Sequence, residues 1–549
     1  MSGATPQFDI LIIGSGPSGS HAAMEAAASG CKVALIDVGH TEDRLQQIPP
    51  ALPFSEVRRS DPHQHRYFLG DDPKQVLRSQ ERAGAHLTPA RMHMIRDMDA
   101  LFPMQSDTFL PLQSTGLGGL GISWGANCFA FEDFELERIG ISPAWIKPYY
   151  AHAADEVGIS GPVDDALTPL IANMDHGRIQ PPLPLDSNAE SIFRRYRSGE
   201  RRYVERGLYM GQSLLAMLSR PKGDRQANPQ FDMDFWADLG RSVYRPKFTL
   251  EKLQALPNFT HLTGRLATRF RDDASGVTVL CRQVGSNTHE AFTSRKVLLA
   301  AGAINSGRLT LASFDDYDSK LPVLCNVNHW AAAINLSMLG RPARDRRHSL
   351  SQLTVLMRTA ENPDYILAQL YSYRSLLLFR LMKNVPLPPR QSLLFMRLIV
   401  NAFTCINIHF PDYPSPDRWL KLGREGGENT VIASCAFHSR EKEWMRSSER
   451  RLLRFLMRLG CIPMGMTRPM HGASLHYVGT LPYSEEKRPC ATAPDGKLHG
   501  TSHVYVADGS SWRFLPAKGL TLTLMANARR MAASAVRELA LEPVAARSR

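Results

Sequence analysis

The sequence predicts an α/β fold whose first unit is a Rossmann-type β-α-β element, and three observations carry that prediction. Residues 8–39 read FDILIIGSGPSGSHAAMEAAASGCKVALIDVG: an apolar run, a glycine turn, an alanine-rich segment and a second apolar run. An acidic residue, Asp37, closes the second run. Much later, KVLLAAGAINSGRLTLA at 296–312 again passes from an apolar strand through a glycine into a helix-forming segment.

Each part of the first unit has a physical task. Ile10 to Ile13 form the entering strand, and Gly14, Gly16 and Gly19 make a G-x-G-x-x-G turn. Gly14 permits the tight turn, Gly16 lets backbone approach a pyrophosphate, and Gly19 lets the helix pack against the strand. The helix that follows offers free N–H groups and a positive dipole end to an anion. It stops at Gly30, and the second strand runs from Val33 to Ile36. Asp37 falls about 20 residues beyond the glycines, where a carboxylate accepts hydrogen bonds from an adenosine ribose. A purely structural glycine turn is the alternative for the glycines alone; strand, helix, second strand and acid together predict nucleotide binding.

A chain of 549 residues with 43% hydrophobic content is long enough for two or more domains, or for one interleaved pair. The amino terminus carries a short polar lead with no basic and apolar leader pattern, so no export signal is expected there. Eight cysteines are scattered without C-x-x-C or metal-type spacing, which predicts reduced thiols, no metal and a cytoplasmic location. The formal net charge is +12. An anionic substrate, a membrane surface or a solvated basic face would each account for it. No helix-turn-helix, zinc-finger or RNP-type motif is present, so nucleic acid is not an expected partner.

A second glycine-rich stretch, GLGGLGISWGANC, lies at 116–128. Gly116, Gly118, Gly119 and Gly121 suit backbone pressed against a bulky planar or charged ligand, and Trp124 argues against a loose surface loop. Here the chain resembles the glucose–methanol–choline (GMC) family of flavin oxidoreductases. The resemblance continues through SPAWIKPYYAHAADEVGISG at 142–161, PNFTHLTG at 257–264 and the 296–312 stretch. It ends with ASLHYVGT at 473–480, DGKLHGTSHVYVADGS at 495–510 and LTLTLMANARRMA at 520–532. About half of the chain is covered, with the blocks in family order.

The resemblance implies a Rossmann-type FAD-binding domain interleaved with an α+β substrate domain. Residues 1–161, 250–315 and 461–549 would build the first, and 162–249 and 316–460 the second. FAD would be held without a covalent bond, because no histidine stands between Gly116 and Cys128. Its contacts would come from Gly14, Gly16, Gly19, Asp37, Gly118, Gly119, Ser123, Trp124, Asn127, Asp508 and Gly509. His476 occupies the position of the family's catalytic histidine in H-x-x-G-T, and imidazole is suited to accept a hydroxyl proton near neutral pH. A packed histidine in a glycine-containing turn is the alternative. His471, His499 and His503 stand nearby, outside the motif.

One departure matters. The family places a second histidine or asparagine before its P-T-L-T run, and here that stretch reads PAKGLTLT, with Lys518 and Gly519 in its place. Lys518 is therefore a candidate for polarising substrate oxygen, for binding an anionic group, or for neither. The implied activity is FAD-dependent oxidation of an alcohol (sugar, polyol, glycan or lipid-like) with an unknown electron acceptor. A non-oxidative lyase on the same scaffold and a silent, membrane-associated FAD protein are the rivals. The segment 366–410 holds two apolar runs around Val385-Pro386-Leu387-Pro388-Pro389. It reads as two helices, in the core or lying in a membrane interface, or as a greasy channel, so peripheral membrane contact is one expectation.

Overall fold

The computed structural model describes residues 6–41, 50–64, 66–67, 89–234, 237–286, 288–341, 346–359, 362–372, 387–425 and 428–541. The strands that frame the site are, in chain order, β1 (Phe8–Ile13), β2 (Val33–Asp37), β3 (Leu208–Gln212), β4 (Phe259–Thr263), β5 (Arg265–Asp273) and β6 (Gly276–Gln283). They continue with β7 (His289–Leu299), β8 (Asn328–Asn335), β9 (Leu353–Met357), β10 (Ile366–Ser372), β11 (Phe403–His409), β12 (Cys461–Thr467) and β13 (Val504–Val506). The helices used below are α1 (Pro17–Ala28), α2 (Ala303–Ser313), α3 (Pro389–Ile399), α4 (Ser439–Arg458) and α5 (Thr521–Leu541).

The first sheet has the order β4-β2-β1-β7-β6-β5, with β13 also on β7. Its β4, β2, β1, β7 and β13 pair in parallel, while β6 and β5 add an antiparallel flank. Ile10 to Ile12 and Val33 to Leu35 are buried on both faces, which is why these strands read as unbroken apolar runs. Helix α1 starts at the Gly16 cap with Pro17 in its first turn, a position where a missing N–H costs nothing. Its small residues Ala22, Ala23 and Ala26 pack against Ala528, Met531 and Ala532 of α5 in one buried cluster.

The second sheet, β12-β8-β11-β10-β9-β3, is antiparallel at every step. A parallel-core sheet and an antiparallel one thus make up the α/β and α+β parts of the fold. The pairing of β12 with β8 differs from the expected division at residue 461, because Cys461–Thr467 belongs to the second sheet.

Residues 366–410 also differ from expectation. Their ends are strands β10 and β11, adjacent and central in the second sheet, and only Pro389–Ile399 within the described part is helical. Residues 373–386, including part of the proline turn, lie outside the described residues. A strand covered on both faces gives the same continuous apolar signal as a buried helix, so periodicity does not separate them. Among the described residues, no helix is long and apolar enough to cross a membrane.

Candidate active site

One cavity is walled by both sheets, and the first glycine turn forms part of it through Gly14, Ser15, Gly16, Pro17 and Ser18. Gly14 has φ +106°, and a Cβ there would sit 2.5 Å from the Ala300 carbonyl oxygen. A Cβ on Gly19 would lie 1.8 Å from the Gly14 oxygen, so Gly19 supports the turn from behind and is not in the cavity wall. No acidic residue stands in the first turn of α1, which leaves its positive end available to a phosphate. Asp37 lines the same cavity. Burial raises its carboxyl to about 7, against the opposing hydrogen bond from the Ser15 hydroxyl.

Ser15 also accepts the Gly118 N–H at 2.9 Å, tying the first glycine turn to the second. Gly119 presses against Gly16, where a Cβ would be 3.1 Å from the Gly16 Cα. Gly119, Trp124 and Asn127 line the cavity; Gly118 and Ser123 stand behind it. Trp124 is fixed by its indole N–H donating to the Tyr244 carbonyl at 2.9 Å. Asp508 and Gly509 line the cavity too. Asp508 accepts the Gly302 N–H at 2.8 Å and the Ser306 hydroxyl at 2.6 Å, which pins the start of α2.

Several buried polar atoms in this wall have no partner within the described residues: both amide atoms of Asn127 and the carbonyl oxygen of Gln113. Arg308 lines the cavity and is buried; among the described residues it donates to Asn305 at 3.1 Å and to the Ala267 carbonyl at 3.4 Å, with no carboxylate partner. Burial lowers its guanidinium to about 10. Unsatisfied amides and a cation without a carboxylate partner are costly unless a polar, anionic ligand meets them. A glycine cradle, a ribose carboxylate and such groups fit FAD. Among the described residues, no group of three or more His, Cys, Asp or Glu is placed to hold a metal.

At the same cavity stands His476, whose Nδ1 lies 2.8 Å from Asn326 Oδ1. The Asn326 amide nitrogen donates to the Phe410 carbonyl at 2.7 Å and the Pro516 carbonyl at 3.2 Å. That fixes which end of the amide faces His476: the oxygen. His476 Nδ1 must therefore donate, and in the neutral ring Nε2 carries the lone pair. His409 also lines the cavity, stacked on His476 with ring centroids 5.3 Å apart and planes at 23°.

Lys518 is not in the cavity wall. Its ammonium is fully buried and donates to Glu132 at 3.0 Å, Glu135 at 2.8 Å and the Leu170 carbonyl at 3.3 Å. Two carboxylates hold it away from any substrate, which corrects the expectation that it acts on substrate oxygen. Its neighbour Gly519 does line the cavity, and a Cβ there would meet the Asn127 carbonyl oxygen at 2.7 Å. The Asn127 backbone thus occupies the space a side chain at 519 would need. Of the other histidines, His503 pairs with Asp272 at 2.7 Å and His499 lies 3.0 Å from the Ser484 carbonyl. His471 packs on Phe437, and burial lowers its imidazole to about 4.

Gln369, Tyr371 and Asn407 complete the wall from β10 and β11. Sequence reading missed these, and Asn326 and His409 with them, because no motif surrounds them. Alternation along β11 puts Asn407 and His409 on one face, a signal available only once the strand is known.

Residues 461–528 match the GMC oxidoreductase family. The large subunit of fructose dehydrogenase from Gluconobacter japonicus is 25% identical over 192 residues, a stretch that covers 31% of this chain and 30% of that protein. The crystal structure of pyridoxine 4-oxidase from Mesorbium loti superposes with a TM-score of 0.54 at 15% identity, over 97% of this chain and 99% of that one. The fold extends through both sheets, and the family match contains His476, Asp508 and the start of α5. The GMC oxidoreductase match is thus carried by the carboxyl-terminal stretch 461–528, and the similarity to the oxidase structure shows a shared fold over the rest of the chain.

Proposed function

We propose that the protein oxidises an alcohol, with His476 as the base that takes the hydroxyl proton. The observation that carries this is the fixed tautomer of His476 inside the glycine-lined cavity: Asn326 accepts from Nδ1 and leaves Nε2 as the basic atom. FAD, when bound, supplies the hydride acceptor. Gly14, Gly16, Ser15 and Asp37 would hold its adenosine diphosphate part, and Gly119, Trp124 and Asn127 its flavin part. The protein's own task is to place a C–OH group between that acceptor and Nε2, and to exclude water around it.

The alcohol is a small-molecule one, and the first panel takes D-fructose and pyridoxine from the names of the relatives, with glycerol and 1-octanol added as a polyol and a lipid-like alcohol. The test is anaerobic mixing of the yellow holoprotein with each, followed by the visible flavin band. Bleaching is expected with at least one, and His476→Ala slows it by roughly 10²–10⁴-fold, the usual worth of a positioned base. Bleaching that survives this substitution undiminished overturns the role of His476.

The membrane contact expected of 366–410 narrows to α3 and its surroundings. On α3, Leu394 and Leu398 are 65% and 51% exposed. The Leu398 carbonyl accepts from Gly340 at 3.0 Å, beside exposed Leu336 and Leu339. Arg341 and Arg390 flank this apolar surface, and Arg458 closes α4 close by, where the Gly460 carbonyl accepts from Leu336 at 3.1 Å. Apolar side chains ringed by arginine suit the interface of an anionic bilayer. All eight cysteines are unpaired, in keeping with a cytoplasmic location and the inner membrane face.

A further inference from the structure

We infer that His409 is a second catalytic residue, supplied by the substrate sheet in place of the side chain missing at 518–519. The inference rests on the alcohol-oxidising reading above. Three observations lead to it. Lys518 is sequestered by Glu132 and Glu135, and Gly519 has no room for a side chain, so neither position 518 nor position 519 offers a second polar group to the cavity. His409 is 4% exposed, lines the cavity and stacks on His476. The same Asn326 amide that orients His476 is bonded to the Phe410 carbonyl, one residue beyond His409, and to the Pro516 carbonyl. One buried amide therefore registers the base, the strand carrying the second imidazole and the loop that has lost its own residue.

The role follows from the chemistry of the step. The hydroxyl O–H bond breaks and its proton passes to His476 Nε2. The C–H bond of the same carbon would break with its electron pair leaving as hydride, which bound FAD would be there to accept, and a C=O bond would form. Negative charge grows on the oxygen whenever proton loss runs ahead of hydride loss. A hydrogen-bond donor aimed at that oxygen stabilises the transition state and holds the hydroxyl toward Nε2. His409 is that donor. Leu367, directly opposite it in the neighbouring strand, and Asn407, two residues before it, also line the cavity, so this sheet face is where the substrate lies.

Two substitutions separate hydrogen bonding from packing. His409→Phe keeps a stacking ring and removes the donor; His409→Asn keeps a donor and removes the ring. Flavin reduction is followed anaerobically with whichever alcohol of the panel bleaches wild type fastest. H409F is expected to lose roughly 10²-fold or more in the reduction rate at saturating alcohol, and H409N to stay within about tenfold of wild type. Imidazole ¹⁵N spectra of the flavin-free H409F protein should still show His476 protonated at Nδ1, so that the loss is not a displaced base. An active H409F with a damaged H409N would mean that His409 only packs, and the inference fails. A wild-type flavin that no alcohol bleaches would fail the alcohol reading itself, a distinct result.

Discussion

Asp37 is a carboxylate that the protein without its cofactor holds near neutrality, at about 7, because burial outweighs the Ser15 hydrogen bond. In the unfolded chain it would ionise near 3.8. Between these values the folded state binds the extra proton, so stability falls as pH rises through that window. Thermal unfolding of the flavin-free protein should show this decline, and Asp37→Asn should remove that share of it. Ribose hydroxyls donate to the ionised form, so FAD binding should tighten as pH rises toward about 7 and level off above it. Titration of the apoprotein by flavin fluorescence checks this, and D37N should bind FAD with little pH dependence.

Lys518 gives a second prediction for a single residue. Lys518→Met leaves Glu135, a buried carboxylate already raised by desolvation, without its cation. Breaking a buried pair from one side costs about 3–5 kcal/mol. Denaturant unfolding should show a loss of that order, while any folded holoprotein keeps its flavin reduction rate. A large rate loss with full stability would return Lys518 to the chemistry.

At the scale of elements, the β1–α1 turn is the part most exposed to change. A Cβ on Gly19 would overlap the Gly14 carbonyl at 1.8 Å, and no flexible side chain can yield there. Gly19→Ala should therefore give protein that does not retain FAD through gel filtration, seen as a lost yellow colour. This turn was legible in the sequence because its signal is local: glycines at fixed spacing between two apolar runs. His476 was legible for the same reason, inside a short motif. Asn326 and His409 were not, since what makes them matter is contact across the fold: Asn326 meets His476 across 150 positions. The strands β10 and β11 hid behind their own burial, because a strand covered on both faces gives no alternation to tell it from a buried helix. The part played by Lys518 stayed open because a lone lysine beside a glycine says nothing about Glu132 and Glu135, some 386 and 383 positions away.

For the whole molecule, the apolar surface around α3 is the feature that reaches beyond the cavity. Eight of the fifteen large hydrophobic residues that are exposed among those described fall on α3 or its approach, the 336–339 turn, the end of α4 and β12. Scattered singly they would need no explanation; gathered beside arginines they predict a binding face. Flotation with phosphatidylglycerol-containing vesicles should carry the protein upward, and neutral phosphatidylcholine vesicles should carry much less. Leu394→Glu combined with Leu398→Glu should abolish flotation while leaving flavin content intact. Self-association in place of flotation would mean that a second copy covers this face.

The amide of Asn326 joins segments that an exchange of parts would separate. A chimaera whose substrate sheet comes from a protein with no histidine at the place of His409 would lose that imidazole while keeping Gly519, whose backbone crowding against Asn127 bars a replacement side chain. The graft would keep its cofactor and its base, yet have one imidazole where this chain has two. Restoring it would mean moving the loop at 516–519 away from the flavin loop together with the new sheet. In this chain the choice of substrate and the handling of the proton are inherited as one piece.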